Sequence, residues 1–172
     1  MVEVVKQVHH DFGGRWLESL VAPVDTSPRG FPLGFLIWIH FQNKMVEMLD
    51  TVFMVLRKKH NQVSFLHVWH HVLILWSWFA VCRWGAGGAA YFGALANSII
   101  HVAMYSYYGL RLVGISVPWK SHLTKCQLLQ FCLCMGQALA SLYVGAYPRL
   151  LSALELFVMV NMLVLFLSLI HI

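Results

Sequence analysis

From Phe31 onward the chain is a succession of apolar runs about twenty residues long, and no other feature limits its fold as strongly. A run of that length can cross the hydrocarbon core of a bilayer as a helix, because a helix satisfies its own backbone hydrogen bonds. Five runs are legible, over residues 31–56, 63–81, 89–110, 122–143 and 150–172. The links between them carry the turn formers and most of the basic residues: Arg57-Lys58-Lys59, Arg83 with glycines 85, 87 and 88, Arg111 to Lys120, and Pro148-Arg149. The reading is an all-α, polytopic membrane helix bundle. Composition agrees, since 59% of the 172 residues are hydrophobic and only 11% are charged. Twelve Lys and Arg against seven Asp and Glu give a formal charge of +5, which would suit nucleic acid or a membrane surface. Placement of the cations in the links decides for the membrane and against nucleic acid. Arg57, Lys58, Lys59, Arg111, Lys120 and Lys125 gather on one side and Arg83 and Arg149 on the other, so the first side is expected to be cytosolic.

Residues 1–30 form a polar N-terminal segment with Gly13, Gly14, Pro23, Pro28 and Gly30, in which only a short helix over residues 16–21 is expected. It lacks the long apolar core of a secretory leader, so the spans themselves are expected to direct insertion. Its His9-His10 pair reads as solvated. Cys82, Cys126, Cys132 and Cys134 show no paired zinc spacing and read as small apolar residues inside helices.

The polar residues within the spans carry the functional information. In VSFLHVWHH, residues 63–71, offsets of three and four place His67, His70 and His71 on one helix face. Lys44, Glu47 and Asp50 recur every third residue along one side of the first span, where charges are costly unless they face a protein interior and pair. They either hold helices together or line the same cavity as the histidines. Asn97, His101, Met104, Tyr105 and Tyr108 form a polar, aromatic stripe on the third span, and Gln127, Gln130 and Gln137 an inward stripe on the fourth. Imidazoles can serve as metal ligands, as nucleophiles or as acid–base groups, so the cluster fits either a metal oxidase or direct acyl and proton transfer. A di-iron desaturase or hydroxylase also uses an HxxHH box but needs several. Here there is one, with His9, His10, His40, His60, His122 and His171 scattered singly, so no metal is expected.

Four segments, NKMVEMLDT (43–51), LRKKHNQVSFLHVWHH (56–71), NSIIHVAMYSYY (97–108) and TKCQLLQF (124–131), resemble in order and spacing the signatures of the very-long-chain fatty acid elongase family. The resemblance covers about residues 31–170, so residues 31–172 read as a partial elongase membrane core and residues 1–30 as a segment unlike the family. It implies seven helices, six of them in a barrel around an acyl tunnel. About five of those spans are present, and the chain looks incomplete at both ends, stopping short of the polar tail with its retrieval signal. A truncated, inactive paralogue is the reading that follows if the missing helices matter.

The activity implied is a membrane 3-oxoacyl-CoA synthase of the endoplasmic reticulum. It would condense a long-chain acyl-CoA with malonyl-CoA through an acyl-imidazole, without a cofactor. By the resemblance His70 is the nucleophile, His101 shuttles the proton or holds the malonyl group, and His67 and His71 orient and polarise. Lys44, Glu47 and Asp50 line the pocket, and Gln127 and Gln130 donate to a carbonyl or oxyanion. Arg57, Lys58 and Lys59 await the CoA phosphates. The implied partners are the ketoacyl reductase, dehydratase and enoyl reductase of the elongation cycle, and a homodimer is compatible. The wording of QVSFLHV, YFGALANSIIHVAMYSYYGL and PWKSHLTKCQLLQF is closest to elongases of polyunsaturated fatty acids, with Trp69 where many relatives have Tyr or Phe and Asn43 where Ser is common.

Overall fold

The computed structural model describes residues 6, 10, 13, 15–60 and 63–170. Among these are six helices and no strand: α1 (Trp16–Ser19), α2 (Phe31–Leu56), α3 (Phe65–Trp84), α4 (Ala90–Leu112), α5 (Lys120–Val144) and α6 (Arg149–Ile170). All five expected runs are long helices, displaced by no more than three residues at any end. His9 and Ile172 lie outside the described residues.

Local chemistry sets the helix ends. Ser64 caps α3, its hydroxyl accepting from the His67 amide at 3.2 Å, which fixes the start of the helix two residues before the first box histidine. At the other end of the preceding link, α2 closes with the paired bonds Lys58 N to Val55 O and Lys59 N to Met54 O, both 2.9 Å. This is the Schellman pattern, and its left-handed residue is Lys58 at φ 55° where glycine is usual.

Each long helix packs against two others, and the contacts close a ring in the order α2–α3–α6–α5–α4–α2. The α5–α6 pair is the most extensive seam and α2–α4 the thinnest. One core cluster joins Ile37, Ala90, Ala94 and Leu151, and a second joins Ile74, Phe131, Val158 and Met162, so both draw on at least three helices. Outward faces are apolar as well: Tyr143, Leu150, Val164 and Trp76 stand largely exposed, an arrangement that hydrocarbon solvates and water does not.

Three helices among the described residues, α3, α5 and α6, are long and apolar enough in composition to cross a membrane. The chain is a multi-pass helical membrane protein. The other two expected spans, α2 and α4, have the length but fall below that composition, because Lys44, Glu47 and Asp50 interrupt one and Asn97, Ser98, His101 and a run of tyrosines the other. Their polar residues are the price of the site they build.

One end of the ring is closed by hydrogen bonds between links. The buried Tyr147 hydroxyl, between α5 and α6, donates to Gly85 O between α3 and α4 at 2.7 Å. Burial, with a contribution from Glu155, raises the pKa of this phenol and keeps it a donor. The N-terminal segment seats at the same end: Ser19 Oγ meets Tyr91 OH at 2.6 Å, Gln137 Nε2 donates to Leu20 O at 2.8 Å, and Ala89 N donates to Ala22 O at 3.0 Å. Ser19 and Ala22 are buried, so part of the stretch 1–30 belongs to the core.

Gly88 makes that docking fit. Its φ is +49°, and a Cβ there would lie 2.6 Å from Pro23 O and 2.7 Å from Ala22 O. Gly88→Ala is expected to destabilise the detergent-solubilised protein by about 2–4 kcal/mol, seen as a lowered thermal midpoint. Gly136→Ala, on an open face of α5 with nothing within 4 Å, should leave it unchanged or raise it by up to about 1 kcal/mol.

Candidate functional site

The site lies in the half of the ring toward the basic links and is built on α2, α3 and α4. Its centre is Glu47, whose side chain is only 4% exposed. One oxygen, Oε1, has three nitrogen neighbours: Lys44 Nζ at 2.7 Å, Asn43 Nδ2 at 2.9 Å and His101 Nδ1 at 3.1 Å. Lys44 and Asn43 reach it along their own helix at offsets of three and four, and His101 reaches it from α4. Lys44 is 3% exposed, so the pair is withdrawn from lipid and water alike.

One turn further along α2, Asp50 Oδ2 accepts the Tyr105 hydroxyl at 2.8 Å, a second tie between α2 and α4. Thr51 Oγ1 lies 2.8 Å from His67 Nε2, tying α2 to α3. The His71 ring stands edge-on to both His67 and His70, at centroid distances of 4.4 and 5.2 Å. His70 is partly buried and within electrostatic reach of Lys44, Glu47, His71 and His101. Lys44 and Glu47 thus pair within α2, and Glu47 also meets His101 of α4.

Other expected residues are placed apart. Met104 is partly buried one turn beyond His101, and Tyr108 is exposed, its ring against Tyr107 at 5.7 Å. Arg57, Lys58 and Lys59 are exposed at the mouth of the α2–α3 link. Gln127 is partly buried on α5, whereas Gln130 is buried and, with Asn97, lines a cavity that no histidine lines. Among the described residues no three His, Cys, Asp or Glu side chains are disposed to share a metal ion.

Four contributors were not singled out by sequence. Asn43 was legible in principle, four residues before Glu47. Thr51 was not, because its partner is on another helix. His40 is buried one turn before Lys44, with Nδ1 3.2 Å from Ser98 Oγ and its ring 4.4 Å from that of Trp78. Glu155 is a lone acid in the most apolar span, and such a residue signals function by default.

The ELO: GNS1/SUR4 family model matches residues 1–171. The chain is 50% identical over 118 residues to "Very long chain fatty acid elongase 4" of Homo sapiens, covering 66% of this chain and 38% of that protein. It is 46% identical over 105 residues to "Very long chain fatty acid elongase 5" of Xenopus tropicalis, covering 59% and 36%. With "Fatty acid elongase 5" of Trypanosoma cruzi it shares 43% identity over 136 residues, covering 78% and 54%. The chain thus spans between about a third and about a half of the length of these relatives.

The geometry of Glu47 generates a stability test. Lys44→Met strands a buried carboxylate and is expected to cost about 3 kcal/mol in detergent unfolding, whereas Lys44→Met combined with Glu47→Leu should recover most of that loss.

Proposed function

The chain belongs to the ELO: GNS1/SUR4 family, and from that premise we propose that it catalyses the condensing step of fatty acid elongation. A long-chain acyl-CoA, with polyunsaturated chains preferred, and malonyl-CoA give 3-oxoacyl-CoA, carbon dioxide and CoA. The observation that carries this reading is the grouping of the box face of α3 with the Glu47 hub. His101, from α4, meets the buried Lys44–Glu47 pair, and His70, from α3, packs against His71 within electrostatic reach of both.

In the proposed reaction a neutral His70 nitrogen attacks the thioester carbonyl, the carbon–sulfur bond breaks, and the imidazole proton leaves with CoA as the thiol. The acyl group is held as an acyl-imidazole. Malonyl-CoA then loses carbon dioxide, and the resulting enolate attacks the acyl carbon. The new carbon–carbon bond forms as the carbon–nitrogen bond breaks, and the imidazole regains a proton that His101 draws from the aqueous side. His67, anchored by Thr51, and His71 hold the nucleophile's orientation. Glu47 and Lys44 fix His101, Asp50 and Tyr105 hold α4 against α2, Met104 and Tyr108 continue the α4 wall, and Gln127 donates to the thioester carbonyl. Arg57, Lys58 and Lys59 meet the CoA phosphates at the mouth. The 3-oxo product requires reduction, dehydration and a second reduction, so the matching reductases and dehydratase of the endoplasmic reticulum membrane are its functional neighbours.

Microsomes carrying the chain should incorporate labelled malonyl-CoA into lipid when supplied with a long-chain acyl-CoA. His70→Ala is expected to lower that incorporation by at least about a thousandfold and to abolish the acyl adduct seen by intact mass after incubation with acyl-CoA alone. An adduct of undiminished yield in the variant would remove His70 as nucleophile. Metal analysis of the purified protein should find no stoichiometric iron, and about two atoms per chain would replace this reading with that of a di-iron oxidase.

A further inference from the structure

Beyond the histidines, toward the closed end of the ring, lies a partly open cavity of about 60 Å³, room for several water molecules. Its wall is mostly apolar, with Ile74 and Trp78 from α3 and Leu154, Val158 and Met159 from α6. Three hydrogen-bonding side chains enter it from three helices: Asn97 from α4, Gln130 from α5 and Glu155 from α6. Gln130 is only 6% exposed, and Asn97 Oδ1 is a buried acceptor with no partner. The carboxyl group of Glu155 has its room because residue 93 is glycine: a Cβ there would lie 3.1 Å from Glu155 Oε1. None of the lining residues is cationic, so the acid is not there to close an ion pair. The other buried hydroxyls nearby are already engaged, Ser77 with Leu73 O and Tyr147 with Gly85 O.

Polar groups facing one apolar space inside a membrane bundle are expensive, and their convergence selects for an occupant that both donates and accepts. An acyl chain of hydrocarbon alone would leave Asn97 Oδ1 without a partner and offer nothing to Gln130 and Glu155. The lining positions on α3, Ile74 to Val81, stand roughly 6–16 Å along the helix from His70, which is mid-chain distance for an acyl group tethered there. We propose that this cavity is a specificity subsite for acyl chains bearing a mid-chain hydroxyl group, with Glu155, Asn97 and Gln130 as its hydrogen-bonding partners. The inference deepens the acyl-chain function proposed above and rests on it.

The test measures binding and turnover separately on the full chain. The probes are octadecanoic acid and a positional series of hydroxyoctadecanoic acids, used as free acids for binding and as CoA thioesters for elongation. The wild type is expected to bind the best mid-chain hydroxy acid about tenfold more tightly than the plain acid, the worth of one net hydrogen bond. Its kcat/KM should show a similar preference. Glu155→Leu should reduce both preferences to less than about twofold without weakening the plain acid, and Glu155→Gln, which keeps a donor and an acceptor, should retain them. Equal binding of plain and hydroxy acids by the wild type, or a preference that survives Glu155→Leu, would overturn the proposal and leave the cavity as a water site. If no thioester is elongated while the free hydroxy acid still binds tenfold more tightly, the condensation reading fails and the subsite stands.

Discussion

A carboxylate inside a bilayer-spanning bundle has to be neutralised by its own protein, and Glu47 is where this structure meets that demand. Three nitrogens from two helices converge on one oxygen. Desolvation makes the hydrogen bonds from Lys44 and Asn43 strong and the loss of either costly, while His101 Nδ1 approaches to 3.1 Å without a hydrogen bond's alignment. Because His101 is one of the three, the ion pair that secures α2 also fixes the position of a titratable group facing the histidine box. Structural and chemical requirements are therefore met by the same atoms.

The remaining ties follow the same economy. Asp50 to Tyr105 and Thr51 to His67 are both inter-helix bonds made by residues within one turn of Glu47. They draw α4 and α3 onto the same stretch of α2. The far end of the ring needs no charge, and is held by neutral bonds: Tyr147 to Gly85, Ser141 Oγ to Ser152 Oγ at 2.9 Å, and Ser19 to Tyr91. Short hydroxyl contacts of this kind let helices approach closely where apolar burial provides no net force between them in lipid. The ring is thus ionic at the histidine end and neutral at the other.

Much of this was legible in the sequence because membrane helices advertise themselves. Apolar run length gave five helices and nearly their ends, and offsets of three and four correctly placed His67 beside His71 and Lys44 beside Glu47. What sequence could not supply was anything that depends on which helix faces which. The Thr51–His67 bond crosses between helices, and nothing in spacing alone announces it. Asn97 and Gln130 looked like neighbours of the imidazoles, yet they line a separate cavity with Glu155, which the missing side chain of Gly93 leaves room for. The N-terminal segment read as polar loops with one short helix, from its glycines and prolines, and that reading gave no sign that Ser19 and Ala22 are buried in the ring. Their docking is set by the backbone of the α3–α4 link, a feature with no periodicity to detect.

The clasp between Tyr147 and Gly85 also ties together parts of the chain that are far apart in sequence. Tyr147 holds the link between α3 and α4, and the N-terminal segment is bonded to α4 through Ser19 and Tyr91 and to α5 through Leu20 and Gln137. Leu151 packs beside the clasp in the same buried cluster as Ile37, Ala90 and Ala94. That end of the ring therefore behaves as one cooperative unit, and loosening any one of these ties is felt by all the segments that meet there.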